Sequence, residues 1–141
     1  MKKDNFQTNG NLVTLDLWGV DPDVLNNPSF FSHEAKQAAE KARMEVLSTT
    51  IVSFKPQGLS LALILGESHL TIHTAPEHKY VAIDIFTCGQ SSPMIAGLYL
   101  CRILKPKEID LKQFQRGRMS ESMDIDCAWG IKLIEVEYAQ R

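Results

Sequence analysis

Apolar positions along this chain fall into short blocks whose spacing switches between two and three-to-four residues. Leu12-Val13-Thr14-Leu15-Asp16-Leu17-Trp18 is rich in strand formers and stops at Gly19, which predicts a first strand. Asp21-Pro22 and Asn26-Asn27-Pro28 are turn chemistry. Ser32 then has the character of a helix N-cap, with Glu34 in a first turn where the helix dipole favours a carboxylate. Ala35, Ala38, Ala39 and Ala42 follow at helical spacing and make a narrow face that can pack closely on a sheet. A strand is expected from Val46 to Phe54, ended by Pro56 and Gly58, and a buried one from Leu59 to Leu65. Gly66-Glu67 interrupts, and Leu70-Thr71-Ile72-His73-Thr74 resumes β-type composition up to Pro76.

From Tyr80 to Thr87 the alternation is regular: Val81, Ile83 and Ile85 share one face, Ala82, Asp84 and Phe86 the other. Pro93 suits a helix start, and Met94 to Leu104 is apolar enough to cover a sheet before Pro106 stops it. Lys112 to Asp126 is charged and reads as loop or edge, and Ile131 to Tyr138 as a last strand or short helix. The first ten residues are polar and expected to fray. Strands joined by short turns pair antiparallel, and two helices suffice to cover one face. The prediction is an α+β fold: a two-layer sandwich of an antiparallel sheet with two helices on one face. The uncovered face is expected to be apolar and to pair with that of a second copy, giving a four-layer αββα homodimer.

Composition narrows this picture without redirecting it. The 141 residues fit one domain, 1–141, and are 44% hydrophobic and 23% charged, an ordinary globular balance. A net charge of -2 with no Lys/Arg cluster argues against nucleic acid as a partner. The longest apolar stretch, Leu59 to Leu65, is far short of a membrane span, and the N-terminus lacks a signal-peptide pattern. Three cysteines without framework spacing suit reduced thiols, so the expected location is cytoplasmic.

Candidate chemistry is concentrated between Phe54 and Cys88, where Ser60, Ser68, His69, His73, Glu77, His78 and Cys88 share a few strands and turns. His69 and His73 are spaced for metal binding on a helix, but on a strand four residues span about 13 Å, too far for one ion. No metal is expected. Ser68 and His73 suggest a hydrolase pair with Glu77 or Asp84 as orienting acid. Yet Gly66-Glu67-Ser68-His69 lacks the second Gly of a nucleophile elbow. By residue type alone, serines in turns bond backbone and a small thiol packs as an apolar residue, so these positions leave the chemistry open.

The segments together are more specific. Phe54-Lys55-Pro56-Gln57-Gly58-Leu59-Ser60, then Glu67-Ser68-His69-Leu70-Thr71-Ile72-His73-Thr74-Ala75-Pro76-Glu77, then Asp84-Ile85-Phe86-Thr87-Cys88-Gly89 resembles the small prokaryotic S-adenosylmethionine decarboxylase proenzymes. Asp21-Pro22 with Leu25, and Arg116-Gly117-Arg118, extend the resemblance more weakly. It implies self-cleavage between Glu67 and Ser68 into pieces 1–67 and 68–141, with Ser68 becoming a pyruvoyl cofactor. It implies that Ser68 attacks the Glu67 carbonyl, that His73 takes the Ser68 α-proton, and that Ser60 steadies the intermediate. It further implies that Cys88 returns a proton after decarboxylation, that Phe54 stacks on adenine, and that Glu77 holds the ribose hydroxyls. The implied substrate is S-adenosylmethionine, whose decarboxylated product donates aminopropyl groups for spermidine.

The chain departs from the family pattern at several places. Ala75 stands where Trp is usual, His78-Lys79 where an aromatic and Gly are usual, Asn11-Leu12 where a basic residue and His are usual, and Asp16 where Glu is usual. These positions spare the processing bond and fall near the nucleoside or the subunit contact. Arginine or ornithine as substrate, or an inactive paralogue acting as an interaction partner, are therefore the alternatives.

Overall fold

The computed structural model describes residues 9–66, 68–89 and 91–117. Six strands and three helices run in the order β1 (Gly10–Trp18), α1 (Pro22–Leu25), α2 (Pro28–Lys41), β2 (Val46–Ser53), β3 (Leu59–Leu65), β4 (Ser68–Ala75), β5 (Tyr80–Cys88), α3 (Pro93–Leu104) and β6 (Glu108–Arg116). A 3-10 turn, Pro76–His78, joins β4 to β5. The strands form one sheet in the order β2-β3-β4-β5-β1-β6, every neighbouring pair antiparallel.

Alternation decides which residues enter the core. Val13, Leu15 and Leu17 of β1, Leu59 to Leu65 at every second position of β3, Leu70 and Ile72 of β4, and Val81, Ile83 and Ile85 of β5 are all buried on one face. Phe31, Ala35, Ala38 and Ala39 of α2, with Ala96 and Leu100 of α3, close over them. The alanine face of α2 works as expected, because short side chains let the helix sit close to the leucines of β3. Gly97 of α3 allows the same approach, since a Cβ there would stand 3.1 Å from Leu15.

Several expectations need correction. The helix α2 starts at Pro28, and its N-cap is Asn27, whose Oδ1 accepts the Phe30 N–H at 3.1 Å. Ser32 is therefore inside the helix and Glu34 beyond its first turn; a Pro at the first helical position outweighs a serine four residues later. The Asp21-Pro22 turn is itself a short helix, α1, capped by Asp21. Of the two readings of the charged region from Lys112, edge holds as far as Arg116: it belongs to the edge strand β6, whose only half-buried residue is Leu111. Charges at a free edge discourage further pairing, so β6 reads poorly as a strand in sequence. Ile131–Tyr138 lies outside the described residues.

The uncovered face is not uniformly apolar. Val52, Ile64 and Phe114 are 49%, 50% and 42% exposed there. Between them, register places a polar band of Thr14, Asp16, Thr71, His73 and Asp84. Alternation fixed which positions face outward, but what those positions carry is set by function. Among the described residues, no helix is long and apolar enough to cross a membrane. Cys88 and Cys101 are free thiols, and burial pushes the Cys101 thiol up.

Candidate active site

The hairpin β3–β4 brings the first pair together. Leu65 faces Ser68 across the turn, and this register puts Ser60 directly opposite His73 on the uncovered face. Ser60 Oγ and His73 Nδ1 are 2.7 Å apart, a good hydrogen bond. The contact was not readable from spacing alone, but a turn of two residues between Leu65 and Ser68 would have fixed it.

Phe54 and Glu77 belong to the same end of the sheet. Phe54 follows β2 in the turn that leads into β3, and is half exposed. Its N–H donates to the Gly58 carbonyl at 2.8 Å. Glu77 is exposed in the 3-10 turn at the end of β4, four residues after His73. Beside them Trp18 stacks on Tyr80 with ring centroids 4.3 Å apart, and the Tyr80 hydroxyl donates to Asp16. Burial, the bond to Asp16 and the charges of Asp16 and Asp84 push the Tyr80 phenol up to about 12. Ala75, opposite Tyr80 in register, leaves this corner open.

Ser68 and Cys88 form a second pair at the opposite end. Ser68 opens β4 and Cys88 closes β5, and the Cys88 N–H donates to Ser68 Oγ at 3.2 Å. Phe86 lies flat on Gly10, where a Cβ would come within 2.6 Å of the ring. The Arg116 guanidinium sits 5.1 Å from the same ring's centroid, and His69 tilts against it at 5.7 Å. Glu67 lies outside the described residues.

Within one chain the two pairs do not meet. Ser68 and His73 are five positions apart on one straight strand, which separates them by about 17 Å. The hydrolase pair considered from sequence is excluded by that geometry, and so is any direct action of His73 on Ser68 of its own chain. Among the described residues, no group of three His, Cys, Asp or Glu side chains converges on a point that could hold a metal. Asn26 and Thr74, which tie the Phe54 turn to the rest of the fold, were missed in sequence. The only available signal was a second Asn beside the one that caps α2.

An antiparallel six-stranded sheet with helices on one face and the Ser60–His73 pair on the other is the architecture of a known decarboxylase. The crystal structure of the adenosylmethionine decarboxylase from Aquifex aeolicus superposes with a TM-score of 0.77 at 31% identity, covering 84% of this chain and 98% of that one. The Trypanosoma brucei AdoMetDC structure matches in fold alone, with a TM-score of 0.54 at 15% identity over 72% of this chain and 44% of that one. In sequence, the S-adenosylmethionine decarboxylase family profile matches residues 11–117. The S-adenosylmethionine decarboxylase proenzyme of Brevibacillus brevis is 42% identical over 113 residues, 79% of this chain and 85% of the relative. That of Hydrogenobaculum is 33% identical over 124 residues, 87% of this chain and 92% of the relative. The chain belongs to the S-adenosylmethionine decarboxylase family.

Proposed function

We propose that this protein is a proenzyme that cuts itself between Glu67 and Ser68 and then decarboxylates S-adenosylmethionine, working as a homodimer with two composite sites. The observation that carries the reading is the separation of the Ser60–His73 pair from the Ser68–Cys88 pair on one strand. Each pair is half of a site. A two-fold axis lying between two uncovered faces and running across the strands would set β4 over its reversed copy. The His73 end of one chain then covers the Ser68 end of the other, twice per dimer. Sheets packed this way stand about 10 Å apart, a gap that facing side chains can bridge.

In the precursor, the Cys88 N–H holds the Ser68 hydroxyl by its oxygen and leaves its proton free to depart. The hydroxyl oxygen attacks the Glu67 carbonyl carbon, and the C–N bond breaks as the C–O bond forms, so an amide becomes an ester. His73 of the second copy takes the Ser68 α-proton, and its bond to Ser60 holds the ring in place for that transfer. The Cβ–O bond breaks, the hydroxyl oxygen leaves with the new Glu67 carboxylate, and residue 68 becomes a dehydroalanine. Water replaces its nitrogen, ammonia leaves, and a pyruvoyl group heads the fragment 68–141. Cys88 N–H thus serves the precursor, since the oxygen it holds is gone from the product.

The local residues fit such a group: Ser68 is half-buried, its hydroxyl meets the backbone N–H of Cys88, a free cysteine, and a Cβ on Gly66, two residues earlier, would meet nothing within 4 Å. When present, the pyruvoyl group supplies a carbonyl that takes the substrate amine and draws electrons from the bond to the carboxylate. Cys88 is beside it to return a proton to the carbon that loses carbon dioxide. Phe54 offers an exposed ring for the adenine, and Glu77 a free carboxylate for the ribose hydroxyls. Free thiols at Cys88 and Cys101 fit a cytoplasmic setting.

The test is the intact mass of purified protein under denaturing conditions, followed by carbon dioxide release from S-adenosylmethionine, arginine and ornithine side by side. Two fragments parting after Glu67, the second blocked at its N-terminus, together with release from S-adenosylmethionine, are expected. A chain that stays whole on incubation would make it an inactive paralogue. Cleavage with release from arginine or ornithine alone would move the substrate.

A further inference from the structure

Gly58 is used on both sides of its backbone. Its N–H donates to Asn26 Oδ1 at 3.0 Å, and its carbonyl accepts the N–H of Phe54 at 2.8 Å. The next amide, Leu59 N–H, donates to Thr74 Oγ1 at 3.0 Å. The Thr74 hydroxyl donates in turn to the carbonyl of Leu25, the neighbour of Asn26, at 2.8 Å. The end of α1, the turn after β2 and the end of β4 are therefore tied in one knot. Residues of the proposed site lie close to it in the chain: Phe54 bonded to Gly58, His73 just before Thr74, and Glu77 three residues after it.

Among the described residues, the Asn26 side chain makes no other hydrogen bond. The backbone N–H of Asn26 closes α1 onto the Pro22 carbonyl, and α2 is capped by Asn27. Asn26 is exposed, outside the core, and reaches a residue 32 positions away in sequence. Gly58 cannot be held by a side chain of its own: its φ is +96°, and a Cβ would stand 3.1 Å from the Thr74 carbonyl oxygen. Phe54 is 51% exposed, and among the described residues its ring stacks on no other aromatic ring. Its position is thus set through its backbone, by Gly58, whose N–H is held by Asn26 and whose carbonyl plane is held through the Leu59 N–H by Thr74.

The geometry points to Asn26 as a positioning residue for substrate binding, holding the turn that presents Phe54 to the adenine. The inference rests on the reading of Phe54 above and goes beyond it. The coupling between Asn26 and Phe54 passes through one residue, Gly58, and the two peptide units that meet at its Cα.

Four processed proteins test it: the unaltered chain, Phe54→Ala, Asn26→Leu and Asn26→Asp. Leucine fills the same volume without an acceptor, whereas aspartate keeps an oxygen where Oδ1 stood. Asn26→Leu is expected to raise the KM for S-adenosylmethionine roughly tenfold while kcat and self-cleavage stay within about twofold, as misplacement of a binding group predicts. Asn26→Asp is expected to restore KM. An unchanged KM in Asn26→Leu, a parallel fall in kcat and cleavage, or a failed rescue by Asn26→Asp would each overturn the inference. Phe54→Ala separates the two readings. An unchanged KM there removes the role of Phe54 and the inference with it. A raised KM there beside an unchanged one in Asn26→Leu overturns the inference alone.

Discussion

The two ends of the sheet are built differently although one strand, β4, connects them. The His73 end is braced: Ser60 holds His73, Thr74 and Asn26 hold the turn of Phe54, and Tyr80 is packed between Trp18 and Asp16. At the Ser68 end, among the described residues, the backbone N–H of Cys88 meets the serine hydroxyl, and Gly66, whose N–H donates to the Glu45 carbonyl at 3.3 Å, has open space where a Cβ would stand. A bond that is to be broken and remade needs room for the backbone to move. Groups that steer a proton and grip a nucleoside need fixed positions instead. Separating them by about 17 Å along one strand lets each end be optimised alone, provided that a second copy reunites them.

The largest expected effect lies at the open end. Ser68→Ala removes the attacking oxygen, so the chain should stay whole in intact-mass measurements and release no carbon dioxide; a cut Ser68→Ala chain would break the assignment. Next is the uncovered face itself. Ile64 is half exposed there, one residue before the end of β3 and in register with His69. Ile64→Asp should shift the protein to monomer in analytical ultracentrifugation and stop cleavage, although Ser60, His73, Ser68 and Cys88 are untouched. A cleaved monomer would show that one chain suffices. Cys88→Ala leaves the backbone N–H in place, so cleavage should proceed while kcat falls by about 10²- to 10⁴-fold, the usual value of a lost acid. An uncut Cys88→Ala would move the thiol from the second reaction to the first.

The smallest effect belongs to the braced end. The Tyr80 phenol, raised to about 12, lies above an unfolded phenol near 10, so the folded state favours the neutral ring. The stability it contributes is intact below about pH 10 and is lost as pH climbs through about 12. Tyrosinate absorbance should show a late-titrating phenol that vanishes in Tyr80→Phe. Titration of every phenol near pH 10 would mean that the Asp16 contact is loose in solution.

Much of this was legible in the sequence, and the reasons are local. Alternation in Tyr80–Cys88 named its buried face, and Pro93 named the start of α3, because both signals act within a few residues. The start of α2 was misplaced because Asn27-Pro28 reads equally as a turn, and β6 was obscured because an edge strand has little core to fill. Ser60, Ser68, His73 and Cys88 were identified by resemblance and not by spacing. Their division into two pairs depends on strand register, which no residue type reports. Asn26 was invisible for the same reason: its partner lies in a turn that only the folded chain brings near.

On the proposed reading, a working site takes one end from each of two chains. Co-expressing Ser68→Ala and His73→Ala chains with distinguishable tags tests it most directly, by the intact masses of the mixed dimer. Each chain alone should stay whole. In the mixed dimer, one site joins the intact Ser68 of the His73→Ala chain to the intact His73 of the Ser68→Ala chain. The His73→Ala chain alone should be cut after Glu67, and activity should return at one site per dimer. Two uncut chains in an isolated mixed dimer would contradict it.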